Sequence, residues 1–468
     1  MKNVRIHCTH NFKQIHKKFS EEQGLPFKNI LNEKEILKVL EEEDVRYYQR
    51  VLTPVITIWA FLSQVMEVGS SCRKVVRRVL CFFVSMGKPI ENLSDSAYCQ
   101  ARSNIKESVF QKLFYHVSDR IQKGCSEQCL WWGRPVKVLD ASTFNMPDTE
   151  KNQKAYPQSS SQRPGCGFPI ARIAVLFCLA TGIVLEKWLG PLQESERHLF
   201  HKIYKTLEPG CILLGDRGLC SYADIAILVG MGVDPVFRIH ATKKVDYRRG
   251  KIVGVCDHIV TWKKPRYQLK TLTKEEQKRL PETMEVRELR YIVEQKGMRS
   301  TEIKLVTTLL DHKLYTKEEM ARLYKLRWDA EINLRSLKTH MQMEMVRGKS
   351  PDIVRKEIWC YLIAYNLVRS VMWEASKKHN VPISKLSFKG TLDTINSYLP
   401  KMANATSENR KSLQDSLLVC IAKDTLPERG YIRVEPRCVK KRPKAYPPLT
   451  RPRRELSKKY ELQTVAKT

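Results

Sequence analysis

The stretch YKLRWDAEINLRSLK, Tyr324 to Lys338, combines a phenol, two carboxylates and several cations. On an α-helix each residue advances by about 100°. With Tyr324 as origin, Arg327 lies at about −60°, Glu331 at about −20° and Lys338 at about −40° by that rotation. Arg335 falls near +20° and Trp328 near +40° on the same count. Glu331 therefore shares a stripe with Tyr324 and the cations. Asp329, at about +140°, faces the other way and reads as a solvent-facing residue. Two chemistries fit such a stripe. One is a ladder of i, i+4 pairs on an exposed helix, Arg327 with Glu331 and Glu331 with Arg335. The other is a lone carboxylate that binds a metal cation, surrounded by groups that bind an anion.

Two further acids bear on that choice. Asp140 ends the β-rich run VKVLD, and Asp216 ends CILLGD. Three carboxylates converging from two strand ends and a helix can hold two divalent cations, and hard oxygen ligands suit Mg2+ or Mn2+. Two such ions about 3.5–4 Å apart can clamp the attacking and leaving oxygens of an in-line phosphoryl transfer.

The elements that must position these residues are legible in part. Thr316 with Glu319 forms a T-x-x-E start signal, and the spacing predicts one helix from there to about Val346, before Gly348 and Pro351. VKVLD, then two apolar runs around the turn-like Ala180-Thr181-Gly182, then ESERHLFHKIYKTL and CILLGD, read as strand, hairpin, helix, strand. Residues 230–312 carry four strand-like runs, VFRIHATKKV, GKIVGVCDHIVTW, MEVRELRYIVE and STEIKLVTTLL, and read as a β-rich insertion. Residues 1–125 read as helices, one of them bearing Arg73, Lys74, Arg77 and Arg78. Val51 to Met66 is uncharged but shorter than the ~18–20 residues of a span and contains Pro54, so a buried helix is expected and no membrane partner.

Charge identifies the partner class. The 468 residues include 82 Lys and Arg against 50 Asp and Glu, a formal net charge of +32, which calls for an anionic polymer, nucleic acid ahead of a membrane surface. Residues Glu428 to Lys459 are especially basic and proline-rich, an extended phosphate-seeking tail. The 14 cysteines contain no C-x-x-C pair and read as reduced thiols of a cytosolic protein. The amino terminus lacks the apolar core of a secretory signal.

Tyr-x2-Arg-x3-Glu-x6-Lys, here Tyr324, Arg327, Glu331 and Lys338, resembles the "YREK" signature of the DDE transposases of the insertion-sequence 4 family. LDAST around Asp140 and GDRGLCSY around Asp216 look like that family's first and second acid motifs, and AYCQAR at Ala97–Arg102 is similar to its amino-terminal part. The resemblance implies an α/β fold: a ribonuclease-H-like mixed-sheet core (βββαβ, then helices) with a β-rich insertion, plus an all-helical N-terminal domain. It implies that Asp140, Asp216 and Glu331 are catalytic and hold two divalent ions, Mg2+ or Mn2+, and that Tyr324, Arg327 and Lys338 bind DNA phosphates. Some relatives stack a flipped base on an insertion tryptophan; Trp262, followed by Lys263, Lys264 and Arg266, is the candidate here.

The resulting domain reading is a helical DNA-binding domain (1–125), a first part of the catalytic core (126–229), the β-rich insertion (230–312), a second part of the core with the Glu331 helix (313–400) and a basic C-terminal region (401–468). The function implied is that of an insertion-sequence transposase, binding double-stranded transposon-end inverted repeats and target DNA, with cleavage and strand transfer. The implied assembly is a homodimer in a synaptic complex, in a bacterial cytoplasm. A ribonuclease-H-like nuclease without strand transfer, and a non-catalytic DNA-binding regulator, are the competing readings.

Overall fold

The computed structural model describes residues 2–457 apart from 89, 91, 126–128, 268, 270–271, 294–300 and 428–446. Most of the basic tail therefore lies outside the described residues.

The chain begins with six helices: α1 (Lys2–Gly24), α2 (Glu33–Glu42), α3 (Pro54–Met66), α4 (Cys72–Ser85), α5 (Asp95–Asn104) and α6 (Glu107–Lys123). The uncharged run is α3, started by Thr53 as cap and Pro54 at the first position, with every residue buried. Among the described residues no helix is long and apolar enough to cross a membrane. The cations of α4 are partly answered within the chain: Lys74 and Arg78 reach Glu67, and Arg73 faces Asp95 at 3.9 Å. AYCQAR lies on α5 and serves packing. The Tyr98 hydroxyl donates to Gln64 at 3.0 Å, and the Arg102 guanidinium lies 4.7 Å from the Phe61 ring and 4.8 Å from that of Tyr98.

Then comes β1 (Val136–Asn145), a short α7 (Glu150–Ala155), β2 (Ile170–Cys178) and β3 (Val184–Pro191), with α8 (Glu196–Tyr204), β4 (Ile212–Gly215), α9 (Tyr222–Gly230) and β5 (Asp234–Arg238) after them. β2 and β3 form the expected hairpin, and β1 pairs antiparallel with β2. β4 lies parallel to both β1 and β5. The four strand-like runs of 230–312 do form strands: β5, then β6 (Lys251–Gly254) with β7 (Asp257–Lys263), β8 (Thr283–Val293) and β9 (Thr301–Thr307); α10 (Lys274–Arg279) lies between β7 and β8. They extend the core sheet instead of folding apart from it. β9 returns to pair antiparallel with β5, giving one nine-stranded sheet in the order β3-β2-β1-β4-β5-β9-β8-β7-β6.

The central strands of the sheet are buried on both faces, whereas β6 at its far edge is exposed, and alternation decides which residue faces which layer. On one face Val138, Phe144, Leu214, Val236 and Leu305 join a core that includes Trp59, Phe110, Leu323 and Leu362 of the helical parts. On the other, Leu139, Leu213, Phe237 and Val306 meet Leu199 and Phe200 of α8 and Ile225 of α9.

The helix expected from Thr316 to Val346 is broken. Thr316 caps α11 (Lys317–Lys325), accepting from the Glu319 amide at 3.3 Å. A tight turn follows at Leu326–Arg327, with the amides of Arg327, Asp329 and Ala330 bonding three residues back. α12 (Trp328–Arg335) then runs into a wider π-helical turn, Ser336–His340. The helical path ends there because the chain leaves to meet β1. Gln342 adopts φ +60°, Asn145 N–H donates to the Glu344 carbonyl, and Val346 N–H donates to that of Asn145. The long apolar α13 (Pro351–His379), with α14 (Phe388–Asn404) and α15 (Ser407–Lys423), completes the helical layer.

Candidate active site

Asp140 sits on β1 two residues beyond Val138, so it points to the face covered by the helical layer. α12 lies against β1 there and brings Glu331 to the same place, and the π-helical turn that follows it adds Lys338. Asp140, Ser142, Glu331, Arg335, Lys338 and Glu344 line one cleft of 330 Å³. The break lies before both Glu331 and Lys338, so these two still line the same cleft.

Asp216 follows β4, in the loop at the strand's end. Its carboxylate accepts from the Gly218 amide at 2.8 Å, and the Gly218 carbonyl is held by Arg197 Nε at 3.0 Å. Arg197 was not legible as a site residue in the sequence; here it pins the turn that carries the second acid.

The electrostatics join the three acids. Burial pushes the Asp140 carboxyl up to about 6; Asp216 and Glu331 push in the same direction, while the Ala141 amide and Arg327 oppose them. Arg327 Nη2 donates to Glu331 Oε1 at 2.7 Å, with the Arg327 side chain 9% exposed and Glu331 51%. The predicted i, i+4 pair therefore exists, but its cation is buried among carboxylates and does not lie on a solvated face. Among the described residues no three acids, imidazoles or thiols stand close enough together to hold a metal ion as the side chains lie. The donor chemistry nonetheless fits hard divalent cations: oxygen ligands only, one of them a carboxyl raised by burial and, to a smaller extent, by the neighbouring acids, whose repulsion a cation would relieve.

Tyr324 does not face the cleft. It is 1% exposed, and its hydroxyl donates to the Gly215 carbonyl at 3.1 Å. Burial raises its phenol to about 12. Its contact is with the residue before Asp216, which corrects the expectation of a phenol on the Glu331 stripe. The break at Leu326–Arg327 is the reason: α11 keeps Tyr324 in the core while α12 carries Glu331 outward.

Asp329 is on the opposite side of α12 from Glu331, as its phase predicts, but it is not simply solvent-facing. It lines a second cleft of 740 Å³ with Arg369, Trp373 and Phe388, and burial raises its carboxyl.

Trp262 lies apart, in a basic cleft of 670 Å³ lined also by Lys243, Lys244, Arg249 and Lys263. Its indole N–H donates to Glu288 at 3.0 Å, and Lys243 Nζ sits 3.2 Å over its ring. One ring face is thus already taken by a cation from the chain.

Residues 131–367 match the family model described as "Transposase DDE domain". The chain is 25% identical over 411 residues to the transposase InsG for insertion sequence element IS4 of Escherichia coli, spanning 87% of this chain and 89% of that one. Among solved structures, the piggyBac transposase in a synaptic complex with hairpin DNA aligns over 87% of each chain with a TM-score of 0.42 at 10% identity.

Proposed function

The chain belongs to the DDE transposase family and is a transposase of an insertion sequence, a DNA phosphoryl-transfer enzyme, and from that premise we propose that Asp140, Asp216 and Glu331 are its catalytic carboxylates. The observation that carries this reading is the shared cleft: Asp140 and Glu331, far apart in sequence, meet there with Lys338, and the charge of Asp216 is felt at Asp140. The sheet order β3-β2-β1-β4-β5, with the first three strands antiparallel and the next two parallel, supports a ribonuclease-H-like core. Residues 1–125 would be the DNA-binding part and 230–312 the insertion that extends the core sheet.

The three carboxylates would hold two divalent ions, Mg2+ or Mn2+. Such ions, when bound, activate the attacking oxygen and stabilise charge on the phosphate. The remaining work falls to the chain's own groups. Arg327, released from Glu331, turns its guanidinium to phosphate oxygens, which it can bind through two parallel N–H donors. Lys338 adds a point charge on the same side of the cleft. Tyr324 fixes the end of β4 and so the approach of Asp216. Trp262 would offer the ring face away from Lys243 to an unpaired base. The DNA partners would be the double-stranded terminal inverted repeats of the element and the target, met by a homodimer in a bacterial cytoplasm.

The test incubates purified protein with a duplex carrying the element's end and Mg2+. Nicks with a 3′-hydroxyl are expected at the end, and strand transfer into a second duplex. Asp140→Asn, Asp216→Asn and Glu331→Gln each abolish both while the duplex is still bound. Nicking that persists in Asp140→Asn sinks the assignment; cutting without any joined product favours a plain nuclease.

A further inference from the structure

Arg238 is the last residue of β5. β4 and β5 run parallel in a continuous register, from Ile212 beside Asp234 to Gly215 beside Phe237. One step further, the same register sets Arg238 abreast of Asp216. Strand side chains alternate between faces. Val236 belongs to the core beneath the helical layer and Phe237 to the opposite core. Arg238 therefore leaves the sheet on the face of Val236. That is also the face of Val138 and Asp140, covered by α11 and α12.

The surroundings agree with that placement. The positive charge of Arg238 acts on both Tyr324 and Tyr291, and the charge of Asp216 acts on Tyr324 as well. Arg238 is thus a close neighbour of the Tyr324–Arg327 pair on the Asp216 side of the centre. Two other buried or half-buried arginines nearby are engaged, Arg327 with Glu331 and Arg197 with the Gly218 carbonyl, while Arg217, beside Asp216, is exposed to solvent. Arg238 is half-buried, and its guanidinium makes no hydrogen bond or ion pair among the described residues. A guanidinium partly withdrawn from water with no partner is costly, and an anion with oxygen acceptors would offset that cost.

We infer that Arg238 binds a phosphate of the DNA strand on the Asp216 flank of the catalytic centre, opposite Lys338 on the Asp140–Glu331 flank. This rests on the catalytic reading above and adds a contact to it. The strand would cross β1 at Asp140 and the ends of β4 and β5 with a cation on each side of the scissile phosphate. The ligand class is a phosphodiester, gripped through two N–H donors in the plane of the guanidinium.

The experiment compares the full-length protein with Arg238→Ala and Arg238→Lys, using end duplex and Mg2+. Binding is measured across a salt series, and nicking at saturating protein. Loss of one phosphate contact lowers the slope of log K against log salt by about 0.9. Arg238→Ala should show that drop, roughly tenfold weaker binding and slower nicking. Arg238→Lys should restore the slope but only part of the rate, since an ammonium is a point charge. A methylphosphonate at one phosphate next to the nick should erase the difference between wild type and Arg238→Ala. An unchanged salt slope in Arg238→Ala, or a difference that no single neutral phosphate erases, overturns the inference while wild-type nicking leaves the catalytic reading standing. A wild type that fails to nick, or an Asp140→Asn that nicks normally, removes the catalytic reading and this inference with it.

Discussion

On the proposed reading, Arg327 and a divalent cation compete for Glu331, and that competition has a size. Arg327 Nη2 lies 2.7 Å from Glu331 Oε1, with the guanidinium 9% exposed and the carboxylate 51%. Charges roughly 4 Å apart attract by about 4 kcal/mol at an effective dielectric of about 20. Half-exposure of the carboxylate screens much of this, and pairing costs side-chain freedom, leaving about 1–2 kcal/mol. A cation that takes Glu331 must first overcome that pair. Arg327→Gln removes the competitor and a positive charge close to Asp140. Divalent-ion binding by the DNA-free protein should therefore tighten by about 5–30-fold, the factor that corresponds to 1–2 kcal/mol. Titration calorimetry with Mn2+ reads this directly, with Asp140→Asn as the control that loses the site. The same variant should nick end DNA more slowly even at saturating metal, because the phosphate grip goes with the guanidinium. Equal or weaker metal affinity in Arg327→Gln would refute the competition, and with it the assignment of Glu331 as a ligand.

Other consequences are as specific. Asp329→Asn should nick end DNA within about twofold of wild type, whereas Glu331→Gln should be inactive; the reverse pattern would mean that the cleft behind α12 is the catalytic one. Tyr324→Phe deletes a buried hydrogen bond to Gly215 and should cost about 1 kcal/mol in urea unfolding. Because that bond steadies the Asp216 loop, it should also slow nicking with end-DNA affinity unchanged; weaker binding with a normal rate would restore Tyr324 to the phosphate grip. Trp262→Leu should weaken end-DNA binding by about 1–3 kcal/mol through lost stacking. Unchanged binding would leave Trp262 only its bond to Glu288.

Much of the site is local and was therefore legible. Helical periodicity comes from hydrogen bonds spanning three to five residues, so the phase of Glu331 against Asp329, the Thr316 cap and the hairpin at Ala180–Gly182 could be read from spacing, as could the strands next to Asp140 and Asp216, although β1 runs on past Asp140 to Asn145 because β2 pairs with it along its whole length. The resemblance of these motifs to the DDE transposases pointed to the family that the chain belongs to. What spacing could not show is where distant segments meet. Whether β9 pairs with β5 or folds within a separate insertion depends on partners about 70 residues apart, and the shared cores on both sheet faces decide it. The break at Leu326–Arg327 is likewise set by packing, and it turns Tyr324 inward to Gly215 while Glu331 stays at the cleft. Arg238 sat unnoticed in an ordinary strand pattern. Only the parallel register of β4 and β5 puts its guanidinium beside Asp216, because a strand's own sequence records which residues alternate but not which strand lies next to it.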